Sequence, residues 1–307
     1  MPSVSKPIRI GTRDSELALW QAHKVQRELE DLGYTTELLP VKSTGDLILD
    51  KPLYELGITG IFTKTLDVAM LKGTIDIAVH SMKDVPTALP LGIVEAAVLE
   101  RANTKDLLVH KGLDFLKSPK GLIATGSLRR QAQWLHRYRT HNTTDLRGNV
   151  NTRMQKLQES SWNGAIFAAA GLERINLKPE HALELDWMIP APAQGAMLVV
   201  AMKSDTYCRE ALSQLNHTET ALAVRVERDF LRTLEGGCTA PIGALTQITK
   251  KGIHFEGGLF SLDGAQKIGI NKTTSLANYQ EFGVQCAKEL LENGGRELME
   301  AIKDQLK

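Results

Sequence analysis

Short apolar runs alternate with segments of helical period along the first two hundred residues, and this alternation restricts the chain to an α/β architecture. Ile8 to Ile10 reads as a strand and Ser15 to Leu32 as a helix, with Leu17, Trp20 and Leu29 among its apolar positions and Gly33 at its stop. Leu38 to Val41 is a second strand, Phe62 to Leu71 a helix closed by Gly73, and Ile75 to Val79 a third strand. The polar stretch E-R-A-N-T-K-D, Glu100 to Asp106, breaks the pattern and marks a boundary. The alternation then resumes with strands at Leu107 to Val109, Leu122 to Thr125, Thr144 to Leu146 and Ala165 to Ala168, and helices starting near Ser127 and Asn149. The expected pattern is that of parallel α/β units.

Pro190 and Pro192 make a second break before the apolar run Ala196 to Ala201. From Thr218 the style changes to a helix reaching Leu234, a Gly-Gly-Cys turn, period-two segments between Ala244 and Thr274, and helices from Asn278 and Arg296. Short turns at Lys250 to Gly252 and Asp263-Gly264 predict antiparallel strands, so the last part is α+β. Three domains follow: 1–100 with 195–216, then 101–194, then 217–307.

With 307 residues, 42% of them hydrophobic, the chain can bury several cores. No apolar run approaches the roughly 18 to 20 residues that span a bilayer, and the first periodic segment starts too early to leave room for a signal peptide. The expected compartment is the cytoplasm, with no membrane contact. Thirty-seven basic residues against 36 acidic ones give a formal charge of +1, which argues against nucleic acid as a partner bound through bulk charge. Three cysteines without metal-ligand spacing suit a reducing compartment, and no metal is expected.

In four places a predicted strand runs directly into polar residues: G-T-R-D-S from Gly11, H-S-M-K-D from His80, G-S-L-R-R from Gly126 and R-G-N-V-N-T-R from Arg147. Ligands of open sheets bind at that edge, where helix N-termini present free N–H groups. Arg129 and Arg130 follow the N-cap candidate Ser127, and Arg153 follows Asn149, so these cations oppose the helix dipole. They are either solvated or face an anion, and arginine suits carboxylates or phosphates. No P-loop or G-x-G-x-x-G supports a nucleotide. Asp84, beside Lys83, reads equally as a group that stabilises a cation and moves protons or as one that caps the next turn. Cys208 and Cys286 have apolar neighbours at helical spacing and read as core residues. Cys238 ends E-G-G-C, where two glycines leave the sulfur in a loop as a candidate for covalent work.

The motifs I-G-T-R-D-S-E-L-A-L-W-Q-A, T-G-D-L-I-L-D, I-A-V-H-S-M-K-D-V-P, S-L-R-R-Q, L-R-G-N-V-N-T-R, A-G-L-E-R, P-A-Q-G-A, L-N-H-T-E-T and L-E-G-G-C-T-A-P-I-G occur in this order over nearly the whole chain. Together they resemble the hydroxymethylbilane synthase (porphobilinogen deaminase) family. The resemblance implies two α/β domains like the halves of type II periplasmic binding proteins, and a smaller α+β domain with an antiparallel sheet. It implies a transferase that condenses four porphobilinogen molecules on a dipyrromethane cofactor, joined by a thioether to Cys238, and then releases hydroxymethylbilane by hydrolysis. Asp84 is then the catalytic acid/base. Lys83, Ser127, Arg129, Arg130 and Gly148 match positions at the cofactor, and Arg13, Ser15, Arg147, Arg153, Arg174 and Gln194 match positions at the substrate. A monomer, with hand-over of product to uroporphyrinogen-III synthase, is also implied. The chain departs from the family in carrying Thr59 where many relatives have a loop lysine, and Gly126 where a second serine is common.

Two other readings compete. A solute-binding or sensor protein would hold a dicarboxylate reversibly in an arginine-lined cleft, and a regulatory scaffold would leave Cys238 and Asp84 dispensable. Fold alone does not separate them; the order of the motifs favours the enzyme.

Overall fold

The computed structural model describes residues 6–41, 63–234 and 240–306. Their contacts divide them into two compact units, one of 6–41, 63–102 and 195–221 and the other of 103–194, 222–234 and 240–306.

The first unit is built on β1 (Ile8–Thr12), α1 (Glu16–Asp31), β2 (Thr36–Pro40), α2 (Lys64–Leu71), β3 (Ile77–Ser81), β4 (Ile93–Val98), β10 (Met197–Met202) and α6 (Thr206–Ser213). Helix α1 starts where the Ser15 side chain accepts the N–H of Ala18, and buries Ala18, Ala22, Val25 and Leu29, spaced four, three and four apart on one face. That face packs on Ile8, Ile10, Ile77 and Val79, and each fully buried Val, Leu or Ile contributes roughly 1.5–3 kcal/mol. The strands lie in the order β2-β1-β3-β10-β4. β1 runs parallel to β2 and β3, but β10 runs antiparallel to both β3 and β4.

The second unit holds β5 (Asp106–His110), β6 (Leu122–Ala124), α3 (Leu128–Arg137), β7 (Asn142–Thr144), α4 (Val150–Glu159), β8 (Gly164–Ala168), α5 (Ala169–Arg174) and β9 (Leu183–Glu184). Its sheet runs β7-β6-β8-β5-β9, with β6 parallel to β7 and β8, and β5 antiparallel to β8 and β9. Position for position this is the topology of the first sheet. Two α/β sheets of one topology match the expected fold class: the expected parallel pairing holds for β1, β2 and β3 and for β6, β7 and β8, and β10 and β5 run against it.

The same unit contains α7 (Thr218–Thr233) from Leu222 onward and a sheet of β11 (Ile242–Thr249), β12 (Gly252–Phe260) and β13 (Lys267–Thr274), followed by α8 (Phe282–Leu290) and α9 (Arg296–Gln305). These three strands are antiparallel throughout. They share a core with Val226, Phe230 and Cys286, and the rings of Phe230 and Phe255 meet edge-on at 4.9 Å.

Several boundaries shift. The strand expected at Thr144 to Leu146 is β7, which ends at Thr144, and Leu146 is buried beyond it. The strand expected at Ala165 to Ala168 is β8, which begins one residue earlier, and α5 follows it directly. The helix expected from Asn278 begins at Phe282. Strand β4 had no counterpart in the sequence reading.

Candidate active site

In the first unit β1 and β3 lie side by side, with Ile10 opposite Ile77 and Gly11 opposite Ala78. They end together, so Arg13 just beyond β1 shares an edge with the turn Met82–Asp84 just beyond β3. A small cleft open to solvent lies there and is lined by Arg13, Ser15, Gln21, Thr63, His80 and Asp84 among others. Ser15 caps α1 at this rim, and the Gln21 amide donates to Ser81 Oγ at 2.9 Å. Lys83 stands half-buried in the same turn.

The turn is closed by the Val85 N–H donating to the Met82 carbonyl at 3.1 Å, without help from a side chain. Among the described residues the Asp84 carboxylate makes no hydrogen bond or ion pair, so its reading as a cap has no bond behind it. In the sequence, His80 has no role beyond opening the motif H-S-M-K-D. It is 6% exposed, and its Nε2 is buried with no hydrogen-bond partner. Burial, helped by the nearby Arg13 guanidinium, pushes its pKa down to about 4. The ring is therefore neutral in the physiological range.

In the second unit Ser127 caps α3, accepting the N–H of Arg130 at 3.5 Å. Arg129 and Arg130 are 4% and 6% exposed and converge on Asp106, which is wholly buried. Arg129 Nη1 donates to Asp106 Oδ2 at 2.7 Å, and Arg130 Nε and Nη2 donate to Oδ1 at 3.0 and 2.7 Å. The Gln194 amide adds a bond to the same Oδ1 at 3.0 Å. Part of the anion that the dipole argument called for is thus the protein's own carboxylate.

The compensation is incomplete. Two guanidiniums face one carboxylate, and Arg129 Nε is buried with no partner. Burial lowers the pKa of Arg129, Asp106 opposes this, and Arg130 adds to it. A carboxylate-bearing group fits such a place, since it would offer both charge and acceptors.

Around α4, Asn149 caps the helix and accepts the N–H of Thr152 at 2.9 Å. Gly148 has φ +115°, and a Cβ there would stand 2.8 Å from Thr152 Cγ2, so glycine is required. Its carbonyl accepts Arg153 Nε at 2.7 Å, while the Arg147 carbonyl accepts Lys156 Nζ at 3.1 Å. Arg147 is 4% exposed. Arg174 ends α5, where burial pushes its pKa down to about 10 against the pull of Glu173.

Within each unit, then, the sequence-derived candidates gather as Arg13, Ser15, Lys83 and Asp84 at one edge, Arg129, Arg130 and Gln194 around Asp106, and Gly148 with Arg153 in one turn. Asp106 and His80 were missed: the first had been read as the end of a boundary, and the second as one letter of a strand-end motif. Cys208 and Cys286 are buried in separate cores, and burial raises both thiol pKa values, that of Cys286 to about 11. Cys238 and Thr59 lie outside the described residues. Among the described residues no cluster of His, Cys, Asp or Glu is arranged to hold a metal ion, and no helix is long and apolar enough to cross a membrane.

Residues 8–210 match the family model "Porphobilinogen deaminase, dipyromethane cofactor binding domain", and residues 221–292 match "Porphobilinogen deaminase, C-terminal domain". The chain is 40% identical over 304 residues to the porphobilinogen deaminase of Syntrophotalea carbinolica, covering 97% of this chain and 96% of that one. It is 43% identical over 306 residues to that of Desulfitobacterium hafniense, covering 97% and 98%. Among solved structures it aligns with the methionine-binding protein MetQ at a TM-score of 0.44 and 13% identity, over 68% of this chain and 89% of that one. A periplasmic substrate-binding protein from Coxiella burnetii aligns at 0.43 and 12%, over 70% and 94%.

Proposed function

The chain belongs to the porphobilinogen deaminase family, and from that premise we propose that Asp84 is its acid/base group, Cys238 the covalent anchor of its dipyrromethane, and the strand-end arginines its carboxylate holders. The reaction is the stepwise deaminative condensation of four porphobilinogen molecules on that primer, then hydrolytic release of hydroxymethylbilane for tetrapyrrole and heme biosynthesis. When bound, the dipyrromethane supplies the free pyrrole carbon from which the chain grows.

Arg129 and Arg130, with Lys83, Ser127 and Gly148, would hold the carboxylates of that group. Arg13, Ser15, Arg147, Arg153, Arg174 and Gln194 would hold those of substrate. Loss of ammonia from porphobilinogen leaves positive charge on its pyrrole, and a carboxylate beside the pyrrole N–H stabilises that charge and takes up the proton released on coupling. Asp84 suits this task because its carboxylate is not engaged elsewhere among the described residues. Arg13 in the same cleft would keep the substrate's carboxylate apart from Asp84.

The single observation carrying this reading is the cleft at the ends of β1 and β3, which presents Asp84 and Arg13 together. Incubation with porphobilinogen should yield a linear tetrapyrrole and one ammonia per pyrrole consumed. Reversible binding of porphobilinogen without ammonia release would favour the solute-binding reading. The same account divides the chain into three domains, 1–100 with 195–216, 101–194 and 217–307, working as a cytoplasmic monomer that passes its product to uroporphyrinogen-III synthase. Limited proteolysis and sedimentation test the domains and the monomer.

A further inference from the structure

Ala193 lies in the left-handed region at φ +61°, which an alanine adopts only when its surroundings hold it there. The surroundings are specific. Its N–H donates to Glu227 Oε2 at 2.6 Å, and Glu227 Oε1 accepts the N–H of Thr246 at 2.7 Å. Glu227 sits on α7 and is wholly buried, and Thr246 is in β11. One carboxylate therefore ties the loop before β10 to the antiparallel sheet.

The residue after Ala193 is Gln194, also wholly buried. Its amide donates to the Thr104 carbonyl at 2.7 Å and to Asp106 Oδ1, the oxygen that receives Arg130. The strained turn fixes where Gln194 points, and Gln194 with Asp106 fixes the guanidiniums. Helix α7 runs directly into L-E-G-G-C, so the helix that carries Glu227 also leads to Cys238.

We propose that Glu227 is a positioning residue, which sets the place of the Arg129–Arg130 pair by holding Ala193 in its left-handed turn. The proposal rests on the reading of that pair as carboxylate holders for the group on Cys238. Among the described residues Glu227 binds the backbone amides of Ala193 and Thr246. It acts through Ala193, Gln194 and Asp106, and its loss should leave the arginines present but displaced.

Glu227→Gln in the holoenzyme keeps the side chain's size but turns an N–H₂ group toward one of the two amides. The expected outcome is faster hydrogen exchange at the Ala193 and Thr246 amides, and a kcat about tenfold lower with KM changed less, as for a misplaced group. Ala193→Gly removes the penalty for positive φ. Alone it should leave activity near that of the parent, and combined with Glu227→Gln it should restore kcat to within about threefold, since the turn no longer needs its clamp. A carboxylate that served only packing would not be rescued by a glycine on another segment. The proposal is overturned if the double variant is as slow as Glu227→Gln, or if Glu227→Gln changes neither exchange nor kcat. Arg129→Gln separates the two readings: if it leaves the covalent adduct and elongation unchanged, the carboxylate-holder reading has failed and this proposal with it. If Arg129→Gln impairs them while glycine fails to rescue, only the role of Glu227 is wrong.

Discussion

Replacing Asp84 by Asn keeps the shape of the cleft and removes the one charge proposed to face the reacting pyrrole. We expect kcat to fall about a hundredfold or more, with the covalent adduct still present by mass, because a lost acid/base group typically costs this much. Turnover near that of the parent would return Asp84 to a local structural role. His80 gives a second test, in stability. Its pKa is held at about 4, against 6.5 when free. As pH falls below 6.5 the unfolded chain takes up this proton first, so stability is full above 6.5 and is lost progressively down to about 4. The loss should total about 3 kcal/mol, and urea titrations from pH 7 to 4.5 should show a shallower fall for His80→Leu than for the parent. Equal slopes would mean that the ring is solvated. Asp84 and Cys238 were legible as letters of motifs, whereas His80 was not, because nothing in I-A-V-H-S tells which strand position loses its water.

Helix α3 opens on two arginines, which work against its dipole, and the answer lies in a carboxylate about twenty residues earlier that the sequence reading had treated as the end of a linker. Asp106→Asn should destabilise the protein by about 3–5 kcal/mol, since it leaves two buried guanidiniums facing a neutral amide. Chemical denaturation measures this, and a change below 1 kcal/mol would mean that the pair rearranges toward water. Helix positions were readable because α1 and α7 keep an apolar stripe and α3 and α4 keep their caps. Strand direction was not. A buried strand such as β10 has the same apolar run whether parallel or antiparallel, and only the crossing of the chain between units decides. β4, I-V-E-A-A-V, lacks both alternation and a long apolar run, so it had no signature.

At the scale of the whole molecule, two sheets of one topology each end in a cationic edge, and in sequence Cys238 follows α7. Each added pyrrole brings two more carboxylates, so a growing chain needs several arginines in succession. Arg147→Ala or Arg153→Ala should slow particular additions tenfold or more, the effect of losing about 1.5 to 3 kcal/mol of charged hydrogen bonding. Discrete enzyme-bound intermediates should then accumulate, and an unchanged distribution would remove these residues from the track. The central claim is that one thiol carries a permanent two-pyrrole primer, and intact mass of the purified protein tests it most directly. The account predicts a mass above that of the bare chain by two linked pyrrole units in the parent and in Cys208→Ala, and the bare mass with no turnover in Cys238→Ala. A parent of bare mass that nevertheless makes tetrapyrrole, or a Cys238→Ala protein that keeps the adduct, would contradict it.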